Sequence, residues 1–158
     1  MGAEAAPGDP PSALPSAGRV PGAADLDFWL GTWRGTWDGG HGVNRISRAC
    51  DGAVILEEFE AAGPEPLRGL SVSVLDTTGA VWRQTWVDSS GSYLELTGAP
   101  EDGSAMTLVH HGTLDGEPAT YRMRFLDVTR DGFRWDWDVS RDAVVWQPRW
   151  TIAYERLL

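Results

Sequence analysis

Asp27-Phe28-Trp29-Leu30-Gly31-Thr32-Trp33-Arg34-Gly35-Thr36-Trp37 is the stretch on which the reading of the fold turns. Successive strand residues point to opposite faces, so Trp33, Gly35 and Trp37 share one face while Thr32, Arg34 and Thr36 share the other. The residues just ahead, Ala24 to Leu30, fit one or two helical turns, with Asp25 and Asp27 suited to the positive end of a helix. The stretch predicts a short capping helix that runs straight into a first β-strand.

Downstream the chain keeps the same two-residue rhythm, with turn residues between the runs and no long stretch of helical period. After Gly39-Gly40, Val43–Cys50 sets Asn44, Ile46 and Arg48 against Arg45 and Ser47. Asp51-Gly52 is a hairpin signal leading into Ala53–Ala61, where Ile55, Glu57 and Phe59 share a face. Leu67–Leu75 separates Leu70, Val72 and Val74 from Ser71 and Ser73. Val81–Asp88 separates Trp82, Gln84, Trp86 and Asp88 from Val81, Arg83, Thr85 and Val87. Tyr93–Thr97, Met106–Thr113 and Ala119–Val128 follow. Phe133–Ser140 alternates most cleanly, with Phe133, Trp135, Trp137 and Val139 inward and Arg134, Asp136 and Asp138 toward water. Trp146–Leu157 closes the chain with Trp150, Ile152 and Tyr154 together. Roughly ten short strands joined by hairpin turns predict an all-β, antiparallel up-and-down barrel, because closure removes the exposed edges of so long a meander. The apolar face of each strand is expected inside.

Residues 1–23 are Ala, Pro, Gly and Ser with hardly a large apolar side chain, so they read as a disordered tail. Residues 24–158 form a single barrel domain, long enough to bury its own core. The formal net charge is -10, and all 13 cations are arginines scattered singly. That distribution argues against nucleic-acid and membrane partners, which need a basic face. A single cysteine, Cys50, rules out an intrachain disulfide and reads as a small wall residue. With no basic-then-apolar leader evident, a cytoplasmic location is expected. The 9 tryptophans exceed what a core of this size needs, and indoles line ligand cavities as readily as they fill cores.

The region from about Leu26 to Leu158 resembles an uncharacterised bacterial family of lipocalin-like (calycin) barrels. The matching pieces are Asp27-Phe28-Trp29-Leu30-Gly31-Thr32-Trp33, Asn44-x-Ile46, and Asp51-Gly52 followed by Glu57-Glu58-Phe59. Trp82-x-Gln84-x-Trp86-Val87-Asp88-Ser89-Ser90-Gly91 and Tyr154-x-Arg156 complete them. The resemblance implies a barrel with an internal cavity whose closed end is plugged by Trp33, the neighbouring glycine letting the chain bend around it. It implies no particular reaction. The chain is more distantly similar to nitrobindin-type haem barrels, which hold iron through a histidine near the C-terminus. Here the last histidine is His111, so haem is not expected.

Several polar residues fall on the inward faces. Gln84, between Trp82 and Trp86, could read a carbonyl or hydroxyl held between indoles, or could satisfy a neighbouring buried group. Glu57, between Ile55 and Phe59, would have its pKa raised by desolvation and could serve as general acid or base. Its competing reading is a structural pair with an arginine or with Asn44, and a slip of one residue would put Glu58 and Glu60 inside instead. His110 is in phase with Met106 and Leu108 and is a second acid/base candidate, or a satisfied wall histidine. Neither His110-His111 nor His41 has a partner at a convincing metal spacing, so no metal is expected. Asp136 and Asp138 have the look of a glycosidase pair, but the alternation puts them in solvent.

The residues thus point to a small apolar or aromatic ligand, with Trp33, Trp82, Trp86, Trp135, Trp137 and Trp150 as walls and Asn44, Gln84 and Glu57 orienting it. The alternatives are a cofactor-independent cyclase or isomerase using Glu57 or His110 with Tyr154, and a packed barrel that serves as an interaction module.

Overall fold

Among the described residues, every strand hydrogen-bonds to its sequence neighbour, and the last returns to the first. The structure is a computed structural model and describes residues 20–158. The strands are β1 (Gly31–Trp37), β2 (Gly40–Ala49), β3 (Val54–Ala62), β4 (Leu67–Asp76) and β5 (Val81–Asp88). They continue with β6 (Tyr93–Glu101), β7 (Ser104–Leu114), β8 (Glu117–Leu126), β9 (Gly132–Ser140) and β10 (Gln147–Leu157). All pairs are antiparallel, and β1 lies between β2 and β10, so the sheet is a closed ten-stranded up-and-down barrel. Closure leaves no edge strand. The tail expected over residues 1–23 falls almost wholly outside the described residues.

The expected capping helix is a single 3-10 turn, Asp27–Trp29. Its bonds span three residues, Trp29 N–H to Leu26 O at 3.0 Å and Leu30 N–H to Asp27 O at 3.2 Å. Too few residues separate the tail from β1 for an α-helix to propagate past its costly first turn. Leu30 is already extended, with ψ 138°. Gly31 then takes φ 124°, a conformation a side chain opposes, and a Cβ there would run into the Arg156 guanidinium.

The alternation fixed the two faces of each strand, but β4 is turned the opposite way to its hydrophobicity. Ser71 and Ser73 are buried inside, while Leu70 and Val72 stand outside at 47% and 46% exposure. The interior dictates this choice. Ser71 lies opposite Glu57 on β3 and Trp86 on β5, and Ser73 lies opposite Gln84. Gly69 lies beneath the Trp86 ring, where even a Cβ would overlap it. Small residues on β4 therefore leave room for the large side chains of β3 and β5, the small/large matching that a barrel taper requires.

Asp136 and Asp138 do face outward, as expected, but they are buried rather than in solvent. Directly across the β8–β9 pair, Arg124 and Arg122 lie opposite them. Arg122 donates to Asp138 at 3.1 Å, and Arg124 donates to Asp138 at 3.2 Å and to Asp136 at 3.5 Å. The arginine stems cover the carboxylates, and the Arg122 guanidinium is itself covered by the Trp146 ring at 3.9 Å. This is a structural ion-pair network, and Asp138→Ala is expected to lower stability by about 1–3 kcal/mol, measurable by urea denaturation. Cys50, expected in the wall, is exposed in the β2–β3 turn, where it and Asp51 take φ near 52° and 54°.

Candidate ligand cavity

Along its axis the barrel divides into a sealed end, a polar row and a hollow. The sealed end is built on the 3-10 turn. Trp33 has no exposed surface, and its indole donates to Trp29 O at 2.7 Å. Phe133 packs edge-on against it at 4.8 Å, and the Arg156 guanidinium stacks over the ring at 4.1 Å. Arg156 also donates to Leu30 O at 2.7 Å, to Phe28 O at 3.3 Å and to Arg130 O at 2.9 Å, tying the turn to the end of β10. The Trp82 indole donates to Asp25 at 3.2 Å on the same side. Leu26, Trp29, Ile55, Met106 and Phe125 complete a close-packed floor.

Above that floor lies a row of buried polar side chains from β2, β3, β4, β5 and β10. Asn44 Nδ2 donates to one Glu57 oxygen and Ser71 Oγ to the other, each at 2.7 Å. Asn44 Nδ2 is also 3.5 Å from the Tyr154 hydroxyl, and Gln84 Nε2 donates to Ser73 Oγ at 2.9 Å. The amide oxygens of Asn44 and Gln84 are buried without a donor. Burial pushes the Glu57 carboxyl above its ordinary value, against the hydrogen bonds from Asn44 and Ser71 that pull it down. Burial first, and then the negative charge of Glu57, hold the Tyr154 phenol well above its usual range, so it remains protonated. Of the two readings offered for Glu57, its Asn44 partner is present in the structure.

The hollow begins where Glu57 and Tyr154 end. It holds about 220 Å³ and is lined by Trp29, Glu57, Phe59, Leu67, Trp86, Asp88, Ser92, Leu94, Leu96, Met123, Trp135, Trp137, Trp150, Ile152 and Tyr154. Trp135 and Trp137 lie parallel, 6.3 Å apart, and Trp150 meets Trp135 edge-on at 5.6 Å. Phe59 bridges Trp150 and Trp86 at 5.9 and 6.2 Å. Trp86 is held by its own indole, which donates to Asp88 at 2.8 Å. Burial raises the Asp88 carboxyl, but the hydrogen bonds from Ser90, Trp86 and Ser92 outweigh it, so the group lies below its ordinary value and is ionised. A wider hollow on the outer surface, beside Glu60 and Arg68, is open to solvent and flanked by an ion pair. Of these two, the interior hollow has walls that can desolvate a ligand.

The sequence candidates thus separate. Trp86, Trp135, Trp137, Trp150, Glu57 and Tyr154 come together around the hollow. Asn44 lies behind Glu57 as its hydrogen-bond partner, and Gln84 sits one step further along the polar row. Trp33 and Trp82 belong to the sealed end and do not line the hollow. His110 is half-buried near the far end of β7, with Nδ1 3.0 Å from Glu95 O and its ring beside Tyr121, away from Glu57 and outside the lining. Sequence reasoning passed over Phe59, Leu67, Met123 and Ser71. The signal for Ser71 was its in-phase position across the hairpin from Glu57.

No group of three or more His, Cys, Asp and Glu side chains among the described residues could hold a metal ion. No protein-family model matches the chain, and no curated protein matches it either.

Proposed function

We propose that this chain is a cytoplasmic, lipocalin-like barrel that binds one small, largely aromatic or apolar molecule between Trp86, Trp135, Trp137 and Trp150. The observation that carries the reading is the 220 Å³ hollow, walled by indoles and ended by Glu57 and Tyr154. At about 30 Å³ per water, that is the space of roughly seven waters, enough for one substituted ring. Apolar walls with a few placed polar groups are the usual make-up of a small-molecule site. The same hollow weighs against a packed interaction module. Native mass spectrometry after incubation with a bacterial metabolite extract should reveal a retained small molecule that is chemically unchanged on release. Trp135→Ala should weaken its binding by about ten- to a hundredfold, the usual cost of losing a buried aromatic anchor. Retention of nothing from a broad extract would contradict the proposal.

The second reading is a cofactor-independent cyclase or isomerase. It draws on Glu57, which borders the hollow and whose carboxyl burial raises toward the range of a general acid or base. A bound compound released in altered form, with turnover abolished by Glu57→Gln, would establish it. A binder keeps its ligand unchanged in both forms of the protein.

A further inference from the structure

The outer face of this barrel shows how the chain treats a buried carboxylate when it needs only stability. Asp136 and Asp138 are matched with Arg122 and Arg124 across β8 and β9. Glu57, equally buried, has no such partner: its oxygens receive only the neutral donors of Asn44 and Ser71. Among the described residues, no cationic side chain lines the hollow, and its second carboxylate, Asp88, is ionised on β5, level with Phe59 across β4. Burial works against the charged form of Glu57, and a cation beside it would supply the countercharge that Asn44 and Ser71 do not.

The aromatic lining suits a cation as well. Indole and phenyl faces present the negative lobe of their quadrupoles, and a cation within about 6 Å of such a face is attracted, most strongly where water is excluded. Trp86, Trp135, Trp150 and Phe59 enclose the hollow on several sides, next to Glu57. Further buried acceptors without donors, Asn44 Oδ1 and Gln84 Oε1, belong to the polar row behind it. An anion would meet two carboxylates in the lining and no cation. A cation would favour the ionised form of Glu57, which burial alone disfavours.

We infer that the ligand is an organic cation, an ammonium group on a small aromatic or aliphatic body, with its head against Glu57 and its body among the indoles. This rests on the cavity-binding reading above and adds the charge of the ligand to it.

The test uses three probes of similar size on the full chain by isothermal titration at neutral pH: phenethylamine, which is cationic, 2-phenylethanol, which is neutral, and phenylacetate, which is anionic. The expected result is amine binding at least about tenfold tighter than alcohol, with phenylacetate weakest. Glu57→Gln should erase the preference for the amine while changing alcohol affinity by less than about threefold. The probe comparison on the unmodified protein needs no variant to fold. Alcohol binding as tightly as the amine would overturn the charge assignment and leave the cavity reading standing. Failure of all three to bind would overturn both.

Discussion

Trp33→Ala is expected to destabilise the barrel by about 3–5 kcal/mol, the range for deleting a fully buried aromatic side chain. Trp33 has no exposed surface, packs against Phe133 and lies under Arg156. Its removal also leaves Trp29 O without the indole donor and Arg156 without the ring it covers. At about 2–4 °C per kcal/mol for a domain of this length, the melting temperature should fall by roughly 10 °C. Trp146→Ala is the matched control. Trp146 lies on the outer surface over Arg122, so its loss should cost less than about 1 kcal/mol. Similar small losses in both variants, read by thermal unfolding in circular dichroism, would show that the 3-10 turn and Trp33 do not seal the barrel.

Glu57→Gln should have the opposite sign at neutral pH. Burial raises the Glu57 carboxyl in the folded barrel above its ordinary value of 4.5. Below that value the group is protonated in both folded and unfolded chains, and its titration costs nothing. As pH rises, the unfolded chain releases the proton first, so the folded state loses stability until the folded carboxyl ionises as well. Above that point the loss is constant. An amide in the same place has no such penalty, can still accept from Ser71 or Asn44, and can donate to the unpartnered Asn44 Oδ1. The variant should therefore match the parent near pH 4 and be the more stable of the two at pH 7. Urea unfolding at the two pH values measures this. A variant less stable than the parent at pH 7 would mean that the carboxylate is structurally required.

The barrel was legible because alternation and turn residues recur along the whole chain, and each run from Val43 to Leu157 corresponds to an observed strand. Alternation fixes which residues share a face but not how deep each lies. Trp82 and Trp86 share the inner face of β5, yet four residues at about 3.3 Å each separate them by roughly 13 Å. One indole ends in the sealed floor and the other at the hollow. The same distance divides Trp33 from Trp37 on β1. Hydrophobicity alone misjudged β4, because Gly69, Ser71 and Ser73 are inside for their small volume, a property set by Trp86 and Glu57 on neighbouring strands. Asp136 and Asp138 were assigned to the correct face, but burial there comes from arginines on β8, which a single-strand pattern does not contain. The Glu57–Asn44 pair could be anticipated because both side chains share the inner phase of adjoining strands. The open volume could not, since it depends on small residues of one strand meeting large residues of others.

The central claim, that ligand enters the hollow and not the sealed end, is tested most directly by the indole N–H resonances of the nine tryptophans in a proton–nitrogen correlation spectrum. On titration with phenethylamine, the indole signals of Trp86, Trp135, Trp137 and Trp150 should shift together along one saturable curve. Those of Trp33, Trp82 and Trp146 should stay in place. Shifts at Trp33 and Trp82 with none at the four wall indoles, or no saturable shift at any of the nine, would contradict it.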